Sequence, residues 1–403
     1  MREKAMRVLG IAVVLLAVPA TFAQEEHAAK APPKKKFGSS MPFERLGDDG
    51  RLHIAYVEQT ESATTIRYRQ MFGGAPVESV ISAPGDKPSH WVESPPIIEV
   101  MHDGTIHVLY TVRVPAAPGA DYPIELRLAT SSDSGRTWAP HRVVGDPEVR
   151  VYRACAAMRE DAQGRLVLSW LEGHPGQNAI GVKTAIMRDG NIEYAFVDEM
   201  TCECCATELV RTADGAMWLA YRDKDEMNVR DMFLMRMAAG EDRFGPPTRI
   251  SRDKWVVNGC PETGPRFALT GEDAVWVAWF SGNPRGIYAS RATLAAPQFE
   301  PREIVQGTDD HVSNVMHPAI ATPPDGRLLV IYQCRRDGID RIEGRVREAS
   351  GWGEPIELGP KCEYPRIAAN GRKAYLVYTA VTDTDKLISV RDLTELEIGR
   401  AHV

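Results

Sequence analysis

This sequence lacks most of the features that mark special classes of protein. Beyond its first 23 residues it has no long apolar segment, so no bundle of membrane-spanning helices can be built from it. Cysteine is 7 of 403 residues, too sparse for a small disulfide-stapled fold. The 33 glycines and 28 prolines are scattered rather than periodic, which excludes a collagen-like or low-complexity chain. The net charge is −7 and no stretch that reads as folded is strongly basic. Nucleic-acid binders normally carry a basic face, so nucleic acid is not an expected partner. Gly-x-Ser-x-Gly, a phosphate loop and His-Glu-x-x-His are all missing, and the ten histidines show no paired ligand spacing. Several hydrolase, nucleotide-binding and metalloprotease readings fall with them.

What is present begins with an address. Arg2, Lys4 and Arg7 precede an apolar run from Val8 to Ala20, and Thr21-Phe22-Ala23 puts small residues three and one positions before Gln24. The run is shorter than the ~20 residues that span a bilayer. Residues 1–23 therefore read as a cleaved secretory signal peptide. No Cys follows the run, so a lipid anchor is not expected. Residues 24–38 read as a disordered Pro/Lys/Ala tether and 39–403 as the folded domain. Export to the periplasm or beyond leaves all seven cysteines in a compartment that permits disulfides.

The remainder repeats one motif. The turn pairs Asp49-Gly50, Asp103-Gly104, Gln163-Gly164, Asp214-Gly215, Glu272-Asp273, Asp325-Gly326 and Asn370-Gly371 are each followed by a short apolar strand. Those strands carry Tyr56, Tyr110, Trp170, Tyr221, Trp279, Tyr332 and Tyr378, six residues after the turn in six cases and seven in the last. A tight turn feeding a β-branched and aromatic strand is a hairpin signal. A further strand precedes each turn and two more follow each aromatic. Four strands in about fifty residues make a β-propeller blade. The expected fold is all-β: a propeller of four-stranded antiparallel blades, seven favoured over six.

Ser131-Ser132-Asp133-Ser134-Gly135-Arg136-Thr137-Trp138 matches the Asp-box pattern Ser-x-Asp-x-Gly-x-Thr-Trp. With the blade period, it makes the chain resemble the sialidase (BNR/Asp-box) superfamily. The box itself is a structural hairpin, and fold does not settle chemistry. Cys202-Glu203-Cys204-Cys205, Asn258-Gly259-Cys260-Pro261, Tyr221-Arg222-Asp223 and Arg230-Asp231 resemble a bacterial subgroup of these propellers, over roughly residues 94 to 380.

In a propeller the starts of all inner strands meet at one mouth of the central channel. Those positions hold Trp91, Ser94, Arg153, Cys155, Cys202, Cys204, Cys205, Cys260, His317, Cys362, Tyr364 and Arg366. The loops after the aromatic strands add Arg222, Asp223, Arg230, Asp231 and Cys334. Three readings of the cysteines stand open. Disulfides are one, pairing Cys204 or Cys205 with Cys260 and Cys334 with Cys362, with an odd thiol left over. A copper or zinc site is another, with Cys202, Cys204, Cys205, Cys260 and His317 as ligands. The third is a redox-active thiol group.

The resemblance also implies a test for sialidase chemistry. Such enzymes need three arginines to clamp a carboxylate, an Asp acid/base, and a Tyr nucleophile with a Glu partner. The catalytic candidates are Arg153, Arg222, Arg366, Tyr364 and Asp223, with Arg230, Asp231 and Glu262 binding ligand. The family's Phe/Tyr-Arg-Ile-Pro motif is absent, since Tyr364-Pro365-Arg366-Ile367 has its proline and arginine in another order. The leading expectation is an exported propeller that binds a ligand or soft metal at a Cys/Arg-rich mouth. The rivals are a hydrolase acting on an acidic sugar and a protein-binding scaffold with structural disulfides.

Overall fold

A computed structural model describes residues 36–115, 124–175, 179–188, 190–295 and 297–395; the expected signal peptide, residues 1–23, and residues 24–35 of the expected tether lie outside them. Among the described residues all regular structure is β-strand, and no helix is long and apolar enough to cross a membrane.

The first unit shows how the repeat folds. Phe37–Leu46, which starts two residues ahead of the expected boundary, runs to a turn where Gly50 takes φ +80°. Leu52–Gln59 returns antiparallel, and Thr64–Met71 and Val77–Val80 complete the sheet. Positive φ costs glycine little, so the Asp-Gly pairs mark these turns well. Every second strand carries its predicted aromatic. Six of the seven are fully buried, and Tyr378 is half-buried. Burial takes the ring while a polar partner meets its edge: Tyr221 donates to Asp198 at 2.6 Å, and Trp170 and Trp279 donate to Glu172 and Asp253 at 2.8 Å.

Among the described residues the strands form six sheets; one of them, of seven strands, holds the first and the last antiparallel units of the repeat side by side. Four strands hold for the first five units. The sixth gains a short extra strand, with Gly351–Trp352 and Ile356–Pro360 both pairing Ile339–Glu348. The seventh departs from expectation, having only Cys362–Ala369, Ala374–Val381 and Asp385–Asp392 among the described residues. Phe37 and Gly38 join it by pairing in parallel with Asp385 and Lys386. Apolar cores fill the boundaries between successive units. Leu52, Ile54 and Tyr56 pack with Tyr375 and Val377, so the last unit meets the first. The inner strands neighbour one another in the same order. The architecture is a β-propeller.

The Asp-box folds as the motif requires. The Asp133 carboxylate accepts from the Arg136 and Thr137 N–H groups at 3.1 and 2.9 Å, and Gly135 takes φ +80°. Trp138 reaches out of its own unit: it packs edge-on against Tyr68 and donates to Ser79 at 2.9 Å, clipping the second unit to the first.

One repeated irregularity shapes the channel mouth. In four inner strands the pairing skips two residues, 41–42, 155–156, 317–318 and 364–365. The first of each pair, Met41, Cys155, His317 and Tyr364, has φ between +48° and +58°. In three of the four the next residue is proline, which has no N–H to offer the ladder. These are β-bulges, which re-aim a side chain. Holding a non-glycine residue there costs on the order of 1 kcal/mol or more, and such strain clusters at functional sites.

Candidate functional site

The segment between the third unit's last strand and the fourth unit's first one carries Cys202, Cys204 and Cys205. All three side chains are buried, and their sulfurs lie within 4.8 Å of one another. Cys202 Sγ is 3.6 Å from Cys205 Sγ and 4.0 Å from Cys204 Sγ. Trp91 packs over the group. All seven cysteines of the chain are free thiols.

Neighbouring units hold this loop in place. The Cys202 N–H and the Thr201 hydroxyl donate to the Arg222 carbonyl. Tyr152 donates to the Glu203 carbonyl at 2.9 Å. The Glu93 carboxylate accepts from the N–H groups of Ala206 and Gly264, both at 3.0 Å. A Cβ on Gly264 would lie 2.1 Å from the Ala206 carbonyl oxygen, so the fifth unit approaches the thiol loop closely only through glycine.

The electrostatics divide the thiols. Hydrogen bonds with Cys204 and Cys205, aided by the charges of Arg222 and Arg230, hold Cys202 well below the usual thiol range against the pull of burial. The hydrogen bonds push Cys204 up, and burial pushes Cys205 up. Arg230 Nη1 lies 3.0 Å from Cys202 Sγ and 3.1 Å from Glu203, and Lys224 also pairs with Glu203. Arg222 is buried over the Trp255 ring and donates from Nη2 to the carbonyls of Thr263 and Phe280, while its Nε and Nη1 have no partner. Burial raises the Cys155 thiol well above its ordinary range; it lies 3.6 Å from the Tyr152 hydroxyl.

Two expected ligands do not join. Cys260 is exposed and stands outside the thiol group. His317 turns to Glu93, at 3.6 Å, and stacks edge-on against Tyr364. The expected bridges are absent too. Cys334 lies on one face of Leu328–Arg336 with Val330 and Tyr332, whereas Cys362 packs with Leu329 and Ile331 on the other. Alternating strand residues face opposite ways, so the strand separates the two sulfurs.

The other mouth positions form a second group. Glu93, His317, Tyr364 and Arg366 line a cavity of about 30 Å³. Burial pulls the Glu93 carboxyl upward, but His317, Arg266 and the Ala206 N–H together hold it below the usual carboxylate range. Burial pushes Tyr364 up to about 12. Glu262, at φ +49°, accepts from Trp91 Nε1 at 3.1 Å.

No protein-family model matches the chain, and no curated protein matches it. Solved structures do. The Hadza microbial sialidase Hz136 is 12% identical over 85% of this chain and 73% of its own, with a TM-score of 0.51. The NanB sialidase of Streptococcus pneumoniae is 9% identical over 81% and 70%, with a TM-score of 0.50. The fold is that of the sialidase-like β-propellers. Identities this low carry the likeness no further than the fold.

In this sialidase-like propeller the candidate arginines are engaged with the protein itself. Arg153 is buried within the third unit, donating to Glu172 at 2.8 Å and to the Asp146 carbonyl at 3.0 Å. Arg366 lies 3.3 Å from Glu44 and 4.1 Å above the Phe43 ring, joining the seventh unit to the first. Arg222 caps carbonyls and Arg230 holds the thiol loop. Asp231 is buried against Arg249, at 2.7 Å, and the Lys254 N–H. Burial, then Asp198, pushes Asp223 up to about 6. Glu93 and Tyr152 were missed by sequence reasoning. Glu93 sits in Trp91-Val92-Glu93-Ser94, just before an inner strand, and that position was its only signal.

Proposed function

We propose that this sialidase-like propeller binds a soft metal ion through Cys202, Cys204 and Cys205 at the mouth of its channel. The observation that carries the reading is the convergence of three buried sulfurs within 4.8 Å of one another. Thiolates at ~2.3 Å from one ion stand ~3.8 to ~4.0 Å apart in tetrahedral or trigonal geometry. The separations of 3.6 and 4.0 Å from Cys202 to its two neighbours bracket that spacing, so the sulfurs stand close to the positions one ion would need. Thiolate donors select copper(I), zinc and similar soft ions. Cys202-Glu203-Cys204-Cys205 places all three donors on one short loop, and Glu93 and Tyr152 from other units fix its shape. If residues 1–23 act as the expected signal peptide, the site works outside the cytoplasm, where bound metal would shield the thiols from oxidation.

The test is metal analysis with thiol counting on protein purified without oxygen. One equivalent of metal is expected, with loss of metal in Cys204→Ser and Cys205→Ser. Metal-free protein that takes up no soft ion on titration would overturn the proposal.

A further inference from the structure

Resting on that metal-binding reading, we infer that the site is built for a monovalent soft ion of the copper(I) or silver(I) class, held by three sulfurs, rather than for zinc. Two independent features point the same way, the number of donors and the charge around them.

The donor set stops at three. Structural zinc takes four ligands in a tetrahedron, whereas monovalent d¹⁰ ions are stable with three thiolates in a plane. Among the described residues, no His, Asp, Glu or further Cys joins the group. The nearby groups have other partners. Cys155 meets the Tyr152 hydroxyl, His317 faces Glu93, and Glu203 is held by Lys224 and Arg230. Water is a poor fourth ligand here, because the three cysteines are at most 2% exposed and Trp91 covers them.

The charge matches a monovalent ion. Metal binding takes the thiol protons, which leave to solvent. Three thiolates and one monovalent cation sum to −2, and a buried net charge is costly unless matched. One guanidinium touches a thiol sulfur, and a second is buried with donors unused. Arg230 lies 3.0 Å from Cys202 Sγ, and because Lys224 already answers Glu203, the Arg230 charge is left for the sulfurs. Arg222 is 1% exposed, with Nε and Nη1 unpartnered. A divalent ion in the same cage would leave one positive charge uncompensated.

The experiment titrates the anaerobically reduced protein with copper(I), delivered in competition with a colorimetric copper(I) chelator, and separately with zinc and cobalt(II). The expected result is one equivalent of copper(I), preferred over zinc by about a hundredfold or more, with X-ray absorption showing three sulfurs at ~2.3 Å. Arg230→Met is expected to weaken copper(I) by about tenfold while leaving zinc unchanged or tighter, a split that loss of fold would not produce. Tighter zinc, or a tetrahedral cobalt(II) spectrum, overturns the monovalent assignment and leaves the metal reading standing. Failure of every ion to bind overturns both. X-ray absorption on the wild-type protein decides the coordination number even if the variant does not fold.

Discussion

Glu93 and Ala206 meet across a boundary between units: the Glu93 carboxylate accepts the Ala206 N–H at 3.0 Å, one residue beyond Cys205. The same oxygen takes the Gly264 N–H, and the other faces His317. One acid from the second unit thus ties the fourth, fifth and sixth together beneath the thiol loop. Glu93→Ala would strand two N–H groups and open a hole beside the thiol loop. Leaving a buried donor unsatisfied costs ~1–3 kcal/mol, so a loss of about 3 kcal/mol is expected in urea denaturation, together with weaker metal binding. Glu93→Gln keeps an acceptor and should lose less. Equal stability in Glu93→Ala and wild type would deny the acid its tying role.

Asp223 supplies a pH signature. Its carboxyl is pushed from 3.8 up to about 6, so between those values the folded protein holds a proton that the unfolded chain has released. Stability from this group is present below the unfolded value and is lost as pH rises through about 6. Asp223→Asn should therefore gain on wild type as pH is raised from 4 to 7 and then keep a constant lead. Denaturant midpoints of both proteins across that range check it; parallel curves would contradict the buried, Asp198-facing placement.

The seam between first and last units rests on Gly38. Its φ is +112°, and a Cβ there would lie 2.2 Å from the Lys386 carbonyl oxygen. Backbone cannot swing away as the end of a long side chain can. Gly38→Ala should cost about 2 kcal/mol or more and lower the thermal midpoint, whereas Gly50→Ala, with nothing within 4 Å, should suffer only its φ penalty. Similar losses in both would show that the seam carries no special burden.

How much of this was legible depended on how local the signal was. Each hairpin is written in adjacent residues, so Asp103-Gly104 followed by Tyr110 predicts its own strands without reference to the rest of the chain. The thiol trio was legible for the same reason, since Cys202, Cys204 and Cys205 are sequence neighbours. Cys260 and His317 share the trio's position at the start of inner strands, and position alone does not separate them from a metal set. Which way a residue points at a bulge is decided by the pairing around it, and His317 turned to Glu93 instead. The bridge between Cys334 and Cys362 failed because one strand lies between them, which spacing alone does not reveal. Pairings such as Arg366 with Glu44 join residues 322 apart, and nothing local announces them.

Sialidase chemistry is the sharpest place to test the mouth. A carboxylate clamp needs guanidiniums with free, convergent N–H groups. Arg153 spends its donors on Glu172 and Asp146, and Arg366 faces Glu44. Drawing Arg366 to a sugar carboxylate would break its buried pair with Glu44, at a cost of ~3–5 kcal/mol, whereas Glu172 would keep Lys183 and Trp170 if Arg153 moved. For Arg366 that is roughly a 100- to 5000-fold rate penalty. Tyr364 is the remaining nucleophile candidate. Burial holds its proton, at about 12, and Glu363, its sequence neighbour, is paired with Lys386 at 2.7 Å. The other bases near it are already engaged: His317 faces Glu93, Glu93 accepts the Ala206 and Gly264 N–H groups, and Glu262 accepts from Trp91. Purified protein is therefore expected to release no fluorophore from an α-sialoside above the buffer rate. Robust turnover that disappears in Tyr364→Phe and Arg366→Ala would show that the mouth rearranges around substrate, and would move the chemistry from the thiol loop to the cavity beside it.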